Sequence, residues 1–152
     1  MASIKRTATA VWEGGLSDGH GLVSASSGAF TNQAVTWASR VERSDGRTSP
    51  EELIAAAHAA CFGMALSHVI GQAGATPRRL DITATCTLER NGGTRIAAMH
   101  LEVTGRVEGM SAAEFEAAAK EAKDSCPVSG ALKHSVAIEV NASLAAASPA
   151  AG

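Results

Sequence analysis

Alternation of apolar and polar positions marks six segments of the chain as strands. In chain order they are Ile4 to Glu13, Leu22 to Ser26, Val35 to Val41, Leu80 to Leu88, Met99 to Val107 and Val136 to Val140. Asn91-Gly92-Gly93 lies between the fourth and fifth segments and predicts a hairpin with one buried face. The pattern therefore predicts a protein built largely on antiparallel sheet.

The clearest helix start is the sequence Ser49-Pro50-Glu51-Glu52. Ser49 suits the N-cap, Pro50 suits the first helical position, and Glu52 completes a capping box. The run that follows, to about Gln72, is rich in alanine and apolar on nearly all sides. This predicts a central helix that is buried and closely packed.

Two further helices follow the predicted hairpin. Ser111-Ala112-Ala113-Glu114 is a second capping box, and Ser125-Cys126-Pro127 restarts a short helix. The element order is then βββ-α-ββ-α-β, which predicts an α+β fold because strands and helices do not alternate strictly. We expect one domain over residues 1–144 and a flexible C-terminal tail over residues 145–152.

Composition limits the possible partners. The 152 residues carry a net charge of −2 and a pI near 6.2, so charge gives no reason to expect nucleic acid or an anionic membrane. The longest apolar run, Leu53 to Leu66, is broken by His58 and is too short to span a bilayer, and no export signal precedes it. A cytoplasmic protein is expected. Because aromatic residues are scarce and alanine is common, the core is thin, and oligomerisation is its natural remedy.

Three cysteines in a chain without an export signal argue for thiol chemistry rather than structural disulfides. Cys126 precedes Pro127 at a predicted helix N-terminus, where the partial positive charge stabilises a thiolate. Cys61 lies among alanines in mid-helix, where a small core residue is the common interpretation. Cys86 falls on the buried side of a strand, and core packing is favoured there. The residues alone do not unite Cys61 with Cys126.

Three motifs carry a family resemblance. They are Val11-Trp12-Glu13-Gly14, Ser49-Pro50-Glu51-Glu52-Leu53-Ile54-Ala55-Ala56-Ala57-His58-Ala59-Ala60-Cys61-Phe62, and Ser125-Cys126-Pro127-Val128-Ser129. Together they are similar to the OsmC/Ohr family of hydroperoxide reductases, over nearly the whole chain. His58 within the long motif resembles the OsmC branch.

The resemblance implies a fold and an activity. The fold would be an intertwined homodimer with antiparallel sheets packed around central buried helices. Cys61 would be the peroxidatic thiolate, and Cys126 would resolve its sulfenic acid as a disulfide that an external, lipoyl-type dithiol reduces. The substrates would be organic or lipid hydroperoxides. No cofactor or metal is needed, since the cysteines hold both redox equivalents.

Arg40 and Glu51 match the family's active-site arginine and acidic residue. Arg40 precedes Glu51 by eleven residues, one more than is usual, and Arg43 and Arg47 are alternatives in the same region. Glu51 and Cys61 are ten residues apart in one helix, about 15 Å along its axis. If both serve one site, we expect Glu51 to come from a second copy of the helix in a C2 homodimer.

Three other functions remain open from the residues alone. His58, Cys61 and His68 share a helix face and could bind zinc only across a dimer, because the histidines are about 15 Å apart along the axis. A serine or cysteine hydrolase would need a histidine base and an oxyanion hole, and no nucleophile elbow is present. A non-enzymatic, stress-protective or apolar-ligand-binding dimer would use the thiols for packing alone.

Overall fold

The structure, a computed structural model, describes residues 2–146, so most of the predicted tail, residues 147–152, lies outside the described part. The chain divides into two compact units, Met1–Leu53 and Ile54–Gly152. A single domain over residues 1–144 stays a prediction. The elements, in chain order, are β1 (Ala8–Glu13), β2 (His20–Ala25), β3 (Gln33–Val35), α1 (Trp37–Val41), α2 (Pro50–Gln72), β4 (Thr76–Arg90), β5 (Thr94–Glu108), α3 (Ala112–Ser125), α4 (Pro127–Leu132) and β6 (Ala137–Leu144).

The first unit holds an antiparallel sheet in the order β1-β2-β3. Its first turn closes through a 2.9 Å hydrogen bond from the Gly19 N–H to the Gly15 carbonyl, and a Cβ at Gly19 would fall 2.2 Å from that oxygen. Every residue of β1 is exposed, including Val11 at 58% and Trp12 at 44%. This sheet therefore presents apolar side chains that its own unit does not cover.

The prediction of a strand from Val35 to Val41 is wrong beyond Val35. Helix α1 starts directly after β3 because Thr36 and Ser39 form a capping box. The Ser39 N–H donates to Thr36 Oγ1 at 3.0 Å, and the Thr36 N–H donates to Ser39 Oγ at 2.9 Å. These side-chain bonds satisfy two N–H groups at the start of the helix and outweigh the strand-like alternation.

Helix α2 begins at Pro50, as predicted, and the Glu52 N–H donates to Ser49 Oγ at 3.1 Å. The carboxylate of Glu52 accepts a hydrogen bond from Thr48 Oγ1 at 2.9 Å. Thr48 is the residue before Ser49, the predicted N-cap. The sequence predicted that nearly all sides of α2 are buried, and the structure differs from this prediction. In the single chain, burial follows one stripe of α2, whose members are Glu51, His58, Phe62, Leu66 and Ile70.

The second unit is built on a sheet in the order β4-β5-β6. The hairpin of β4 and β5 is antiparallel, as predicted, whereas β6 returns through α3 and α4 to lie parallel to β5. Central strand β5 buries Met99, Leu101 and Val103 in alternation. Leu101 and Val103 share a core with Phe62, Leu66 and Ile70 of α2 and with α3, through Phe115, Ala119 and Ala122 among others.

Helix α3 starts at the predicted capping box, in which Ser111 and Glu114 exchange two hydrogen bonds of 2.9 and 3.2 Å. The helix ends at Cys126, and the same residue is the N-cap of α4, with Pro127 as its first residue. The chain therefore turns sharply at Cys126. This turn fixes the Cys126 side chain at the junction of two helices.

The sequence predicted that the apolar run from Leu53 to Leu66 is too short to span a bilayer. The whole of helix α2 has 23 residues, and by length and composition alone it could span one. One stripe of this helix forms part of the core of the second unit, through Phe62, Leu66 and Ile70. The buried stripe also carries the polar side chain of His58. We therefore interpret α2 as a core helix of a soluble fold.

Candidate active site

The first cluster of candidate residues is an ion pair within the first unit. The Nε of Arg40 donates to both carboxylate oxygens of Glu51, at 2.9 and 3.2 Å, and the Nη2 lies 2.8 Å from Oε1. Glu51 is buried, with 7% of its surface exposed, and the guanidinium also lies over the Trp37 ring, 5.8 Å from its centroid. The pair fixes the guanidinium plane from two directions.

Local structure brings Arg40 and Glu51 together. Arg40 lies in α1, Glu51 lies in the first turn of α2, and the connection is fastened by the buried Ser39. The Oγ of Ser39 lies 2.9 Å from the carbonyl oxygens of both Thr36 and Thr48. The Thr48 N–H in turn donates to the Ala34 carbonyl at 2.9 Å. The loop between the two helices is thereby tied to β3.

The structure also separates Arg40 from the two alternative arginines. Arg43 is exposed and its nearest contact to Asp45 is 3.4 Å. Arg47 is exposed as well. Among these three, Arg40 holds the buried carboxylate, although its eleven-residue spacing from Glu51 is unusual. The side chain of Arg40 itself is 29% exposed, so the guanidinium is held in place and still reachable.

The second cluster lies within the second unit and unites two cysteines that the residue pattern alone left apart. Cys61 on α2 packs against the core cluster that contains Cys126, and Cys126 is near enough to act on the ionisation of Cys61. Cys126 is 1% exposed, whereas Cys61 is partly exposed. Neither thiol is in a disulfide within the described chain. A buried cysteine therefore lies beside a partly exposed one.

The surroundings of Cys61 act on its ionisation in opposite directions. Burial is the largest effect and raises the pKa of the Cys61 thiol, because a thiolate loses solvation there. The Val128 N–H, at the start of α4, donates to the Cys61 sulfur and lowers the pKa. The neighbouring Cys126 raises it again. The net effect favours the protonated thiol, so this cluster does not activate Cys61 by itself.

A third pair of residues was missed by the sequence analysis. The Nε2 of His58 and the Oγ of Ser129 are 2.8 Å apart, and both residues are buried, at 0% and 3% exposure. Burial also lowers the pKa of His58, which keeps the ring neutral. The signal was available in the equal spacing of two pairs, because His58 precedes Cys61 by three residues and Ser129 follows Cys126 by three.

Cys86 and the possible metal ligands are the remaining candidates. Cys86 is half-buried on β4, in the alternating pattern that predicted a packing role. Among residues 2–146, no three His, Cys, Asp or Glu side chains come together in a group that could hold a metal ion. The arrangement of Cys61 and Cys126 suits thiol redox chemistry, in which a partly exposed sulfur is oxidised and a buried neighbour attacks it.

Comparison with known proteins bears on the same residues. The sequence model of the OsmC-like protein family matches residues 43–141, which include Glu51, Cys61 and Cys126 but begin after Arg40. The chain is 41% identical over 138 residues to the peroxiredoxin OsmC of Escherichia coli (strain K12), covering 90% of this chain and 96% of that protein.

Solved structures extend the likeness to the fold. The organic hydroperoxide resistance protein OhrB of Bacillus subtilis superposes with a TM-score of 0.71 at 25% identity, over 90% of this chain and 97% of that one. An organic hydroperoxide resistance protein OsmC from Legionella pneumophila gives a TM-score of 0.68 at 26% identity, over 90% and 96% of the two chains. The described fold is thus shared with proteins that carry these names.

Proposed function

This chain belongs to the OsmC-like protein family, whose named members support a peroxidase role, and we propose that it reduces organic hydroperoxides through Cys61 and Cys126. The observation that carries the proposal is the approach of these two thiols across α2 and α4. Cys61 is partly exposed, which suits attack on a peroxide, and Cys126 is buried beside it. The names of the similar proteins support the substrate class.

The proposed reaction has three steps. The Cys61 thiolate attacks one peroxide oxygen, so that a sulfur–oxygen bond forms, the oxygen–oxygen bond breaks and the alkoxide leaves as an alcohol after taking a proton. Cys61 is then a sulfenic acid, and the Cys126 thiol displaces its hydroxyl as water to give the disulfide. An external dithiol reduces this disulfide and restores both thiols. No bound cofactor is needed in this cycle.

The proposal needs a positive charge at Cys61, because burial disfavours the thiolate. We assign this charge to Arg40, which Glu51 holds by three contacts of 2.8 to 3.2 Å. A guanidinium would also stabilise the negative charge on the departing oxygen. Since Glu51 and Cys61 are about 15 Å apart along one helix, the pair that serves each Cys61 is proposed to be that of the partner subunit.

A homodimer is supported by the apolar surface that the single chain leaves uncovered. Met64 on α2 is 71% exposed, and Leu16 and Val11 in the first unit are 62% and 58% exposed. Isolated exposed apolar residues are ordinary, but several large ones in a protein with so few aromatic residues indicate a covered surface. A lipoyl-type dithiol as reductant and a cytoplasmic location complete the proposal, and both suit a protein whose thiols must be returned to the reduced state.

Stopped-flow consumption of cumene hydroperoxide by the reduced protein tests the proposal. Wild type should turn over with dihydrolipoamide, Cys61→Ser should be inactive, and Cys126→Ser should react once and then stall or over-oxidise. Cys86→Ser is the matched control and should behave as wild type. If wild type and Cys61→Ser are equally inert, the proposal fails. If apolar ligands still bind in that case, the thiols serve packing and a binding function replaces the peroxidase.

A further inference from the structure

Helices α2 and α4 touch at two points that are one helical turn apart. His58 and Cys61 are three residues apart on α2, and Cys126 and Ser129 are three apart at the start of α4, so each pair shares one face of its helix. In the structure, each residue of the α2 pair lies beside one residue of the other pair. Cys61 lies beside Cys126, and His58 shares a 2.8 Å hydrogen bond with Ser129.

The bond between His58 and Ser129 is isolated from solvent. Its two residues are 0% and 3% exposed, and the Nδ1 of His58 has no hydrogen-bond partner among the described residues. Ser129 is therefore the one described polar contact of a fully buried ring. Because loss of either side chain leaves a buried polar group unsatisfied, this bond is more costly to break than an exposed one.

Helix α4 is held partly by apolar packing, because Val128 packs against the core cluster of the second unit. It is six residues long, and Ser129 is its one buried residue, at 3% exposure. The hydrogen bond of Ser129 thus adds to this packing in setting where Cys126 lies relative to Cys61, since a helix this short buries little apolar area of its own.

We propose that His58 and Ser129 are positioning residues for disulfide formation, and that their hydrogen bond holds the first turn of α4 against α2 so that Cys126 reaches the sulfenic acid of Cys61. This inference rests on the proposed function for its catalytic consequence. In the step concerned, a sulfur–sulfur bond forms, the sulfur–oxygen bond of Cys61 breaks, and the hydroxyl leaves as water with the Cys126 proton. The competing step is attack on a second hydroperoxide, which gives a sulfinic acid and an alcohol.

Variants of the two residues test the proposal through this competition. Ser129→Ala and His58→Leu remove the hydrogen bond, whereas His58→Gln keeps an amide that can reach Ser129. Ser143→Ala, at an exposed position of β6, is the matched control. Thermal unfolding followed by circular dichroism selects the variants that fold. The reduced proteins then meet excess cumene hydroperoxide, and mass spectrometry measures the disulfide and sulfinic fractions.

The expected result separates the two steps of the cycle. The rate of the first oxidation of Cys61 should stay near that of wild type in every variant. The sulfinic fraction should rise about two- to tenfold in Ser129→Ala and His58→Leu, the factor that corresponds to one lost hydrogen bond. His58→Gln and Ser143→Ala should remain close to wild type. Should Ser129→Ala fail to fold, the comparison of His58→Leu with His58→Gln still decides the matter.

Three outcomes would overturn the proposal. The first is a wild-type ratio of disulfide to sulfinic acid in the folded Ser129→Ala and His58→Leu. The second is a sulfinic fraction in His58→Gln that equals that of His58→Leu, since the bond would then be irrelevant. The third is a first oxidation of Cys61 that is slowed in Ser129→Ala and His58→Leu as much as disulfide formation is. That result would show that the imidazole ring acts on Cys61 itself.

A separate measurement distinguishes this proposal from the peroxidase proposal. The equilibrium between dithiol and disulfide in glutathione buffers requires no peroxidase activity. If wild type consumes no peroxide, the peroxidase proposal fails, but Ser129→Ala should still lower the equilibrium constant for the Cys61–Cys126 disulfide by about two- to tenfold. If this equilibrium constant is unchanged in Ser129→Ala, the positioning role is refuted, whether or not the protein is a peroxidase.

Discussion

Arg40 and Glu51 form a closely spaced ion pair, with both carboxylate oxygens bound by Nε and a 2.8 Å contact from Nη2. The carboxylate is buried, whereas 29% of the arginine side chain is exposed. Glu51 is thus the buried anchor of the pair, and the partly exposed guanidinium of Arg40 can contact a second anion. This arrangement suits a guanidinium held ready for an anion.

Replacement of Arg40 should therefore slow peroxide reduction. Arg40→Met is expected to lower the second-order rate constant for cumene hydroperoxide about a hundredfold, the usual cost of one donor to a developing oxyanion. Arg40→Lys should recover part of the rate, because it restores the charge but not the planar fork. Arg43→Met is the control, since the Arg43 side chain is 83% exposed and its contact with Asp45 is 3.4 Å long. Stopped-flow rates equal in Arg40→Met and Arg43→Met would contradict the role.

Removal of Cys126 should make Cys61 more acidic. Cys126 raises the pKa of the Cys61 thiol by its hydrogen bond and its charge, while burial and the Val128 N–H remain in the variant. The pH dependence of Cys61 alkylation by iodoacetamide, measured in Cys126→Ala and in wild type, reports this pKa. The midpoint should move to lower pH in the variant. Cys86 is replaced by serine in both proteins so that its alkylation does not interfere, and a midpoint that moves upward would refute the argument.

Local signals in the sequence predicted much of the fold correctly. Ser49 and Ser111 cap their helices as expected, because a capping box involves residues only three positions apart. The same kind of signal was overlooked at Thr36 and Ser39, where alternation of apolar residues favoured a strand. The parallel pairing of β6 with β5 was not predicted, since it depends on a crossover through two helices rather than on adjacent residues.

The candidate site shows the same limit. Cys61 and Cys126 were joined only by family resemblance, because no periodicity connects residues in two separate helices. His58 and Ser129 are 71 positions apart, and their contact depends on how α4 packs against α2. Packing of this kind arises from tertiary structure, which spacing in one helix cannot reveal.

The buried ring of His58 should make stability depend on pH. Its pKa in the folded protein is lowered by burial from an ordinary value of 6.5. As pH falls below about 6.5, the unfolded chain takes up a proton that the folded chain refuses, so the free energy of unfolding decreases until the folded pKa is passed. Above about pH 6.5 the contribution is fully present.

Urea unfolding of wild type and His58→Gln at pH 7.5, 6.5 and 5.5 measures this contribution. All other ionisable groups are common to both proteins, so the difference between their pH dependences isolates His58. Wild type should lose more stability towards acid than the variant, by at most about 1.4 kcal/mol per pH unit for a single proton. Parallel curves would show that His58 does not titrate differently in the folded and unfolded states.

Packing of β5 against α3 leaves no room for a side chain at Gly105. A Cβ there would lie 2.6 Å from Cζ and 2.7 Å from Cε1 of Phe115, whose ring is fully buried. A ring held on all sides cannot move away without disturbing the core, so Gly105→Ala should lower the free energy of unfolding by about 1–3 kcal/mol. Gly71→Ala is the control, because nothing lies within 4 Å of the added methyl group and the position is helical.

Urea unfolding of these two variants should give opposite signs. Gly71→Ala is expected to stabilise the protein by up to about 1 kcal/mol, since alanine favours the helix over glycine. Because both substitutions add the same methyl group, the difference between them reflects the space available at each position. Equal or increased stability of Gly105→Ala would mean that Phe115 can move aside, and that the packing of α3 on the sheet is looser than the structure indicates.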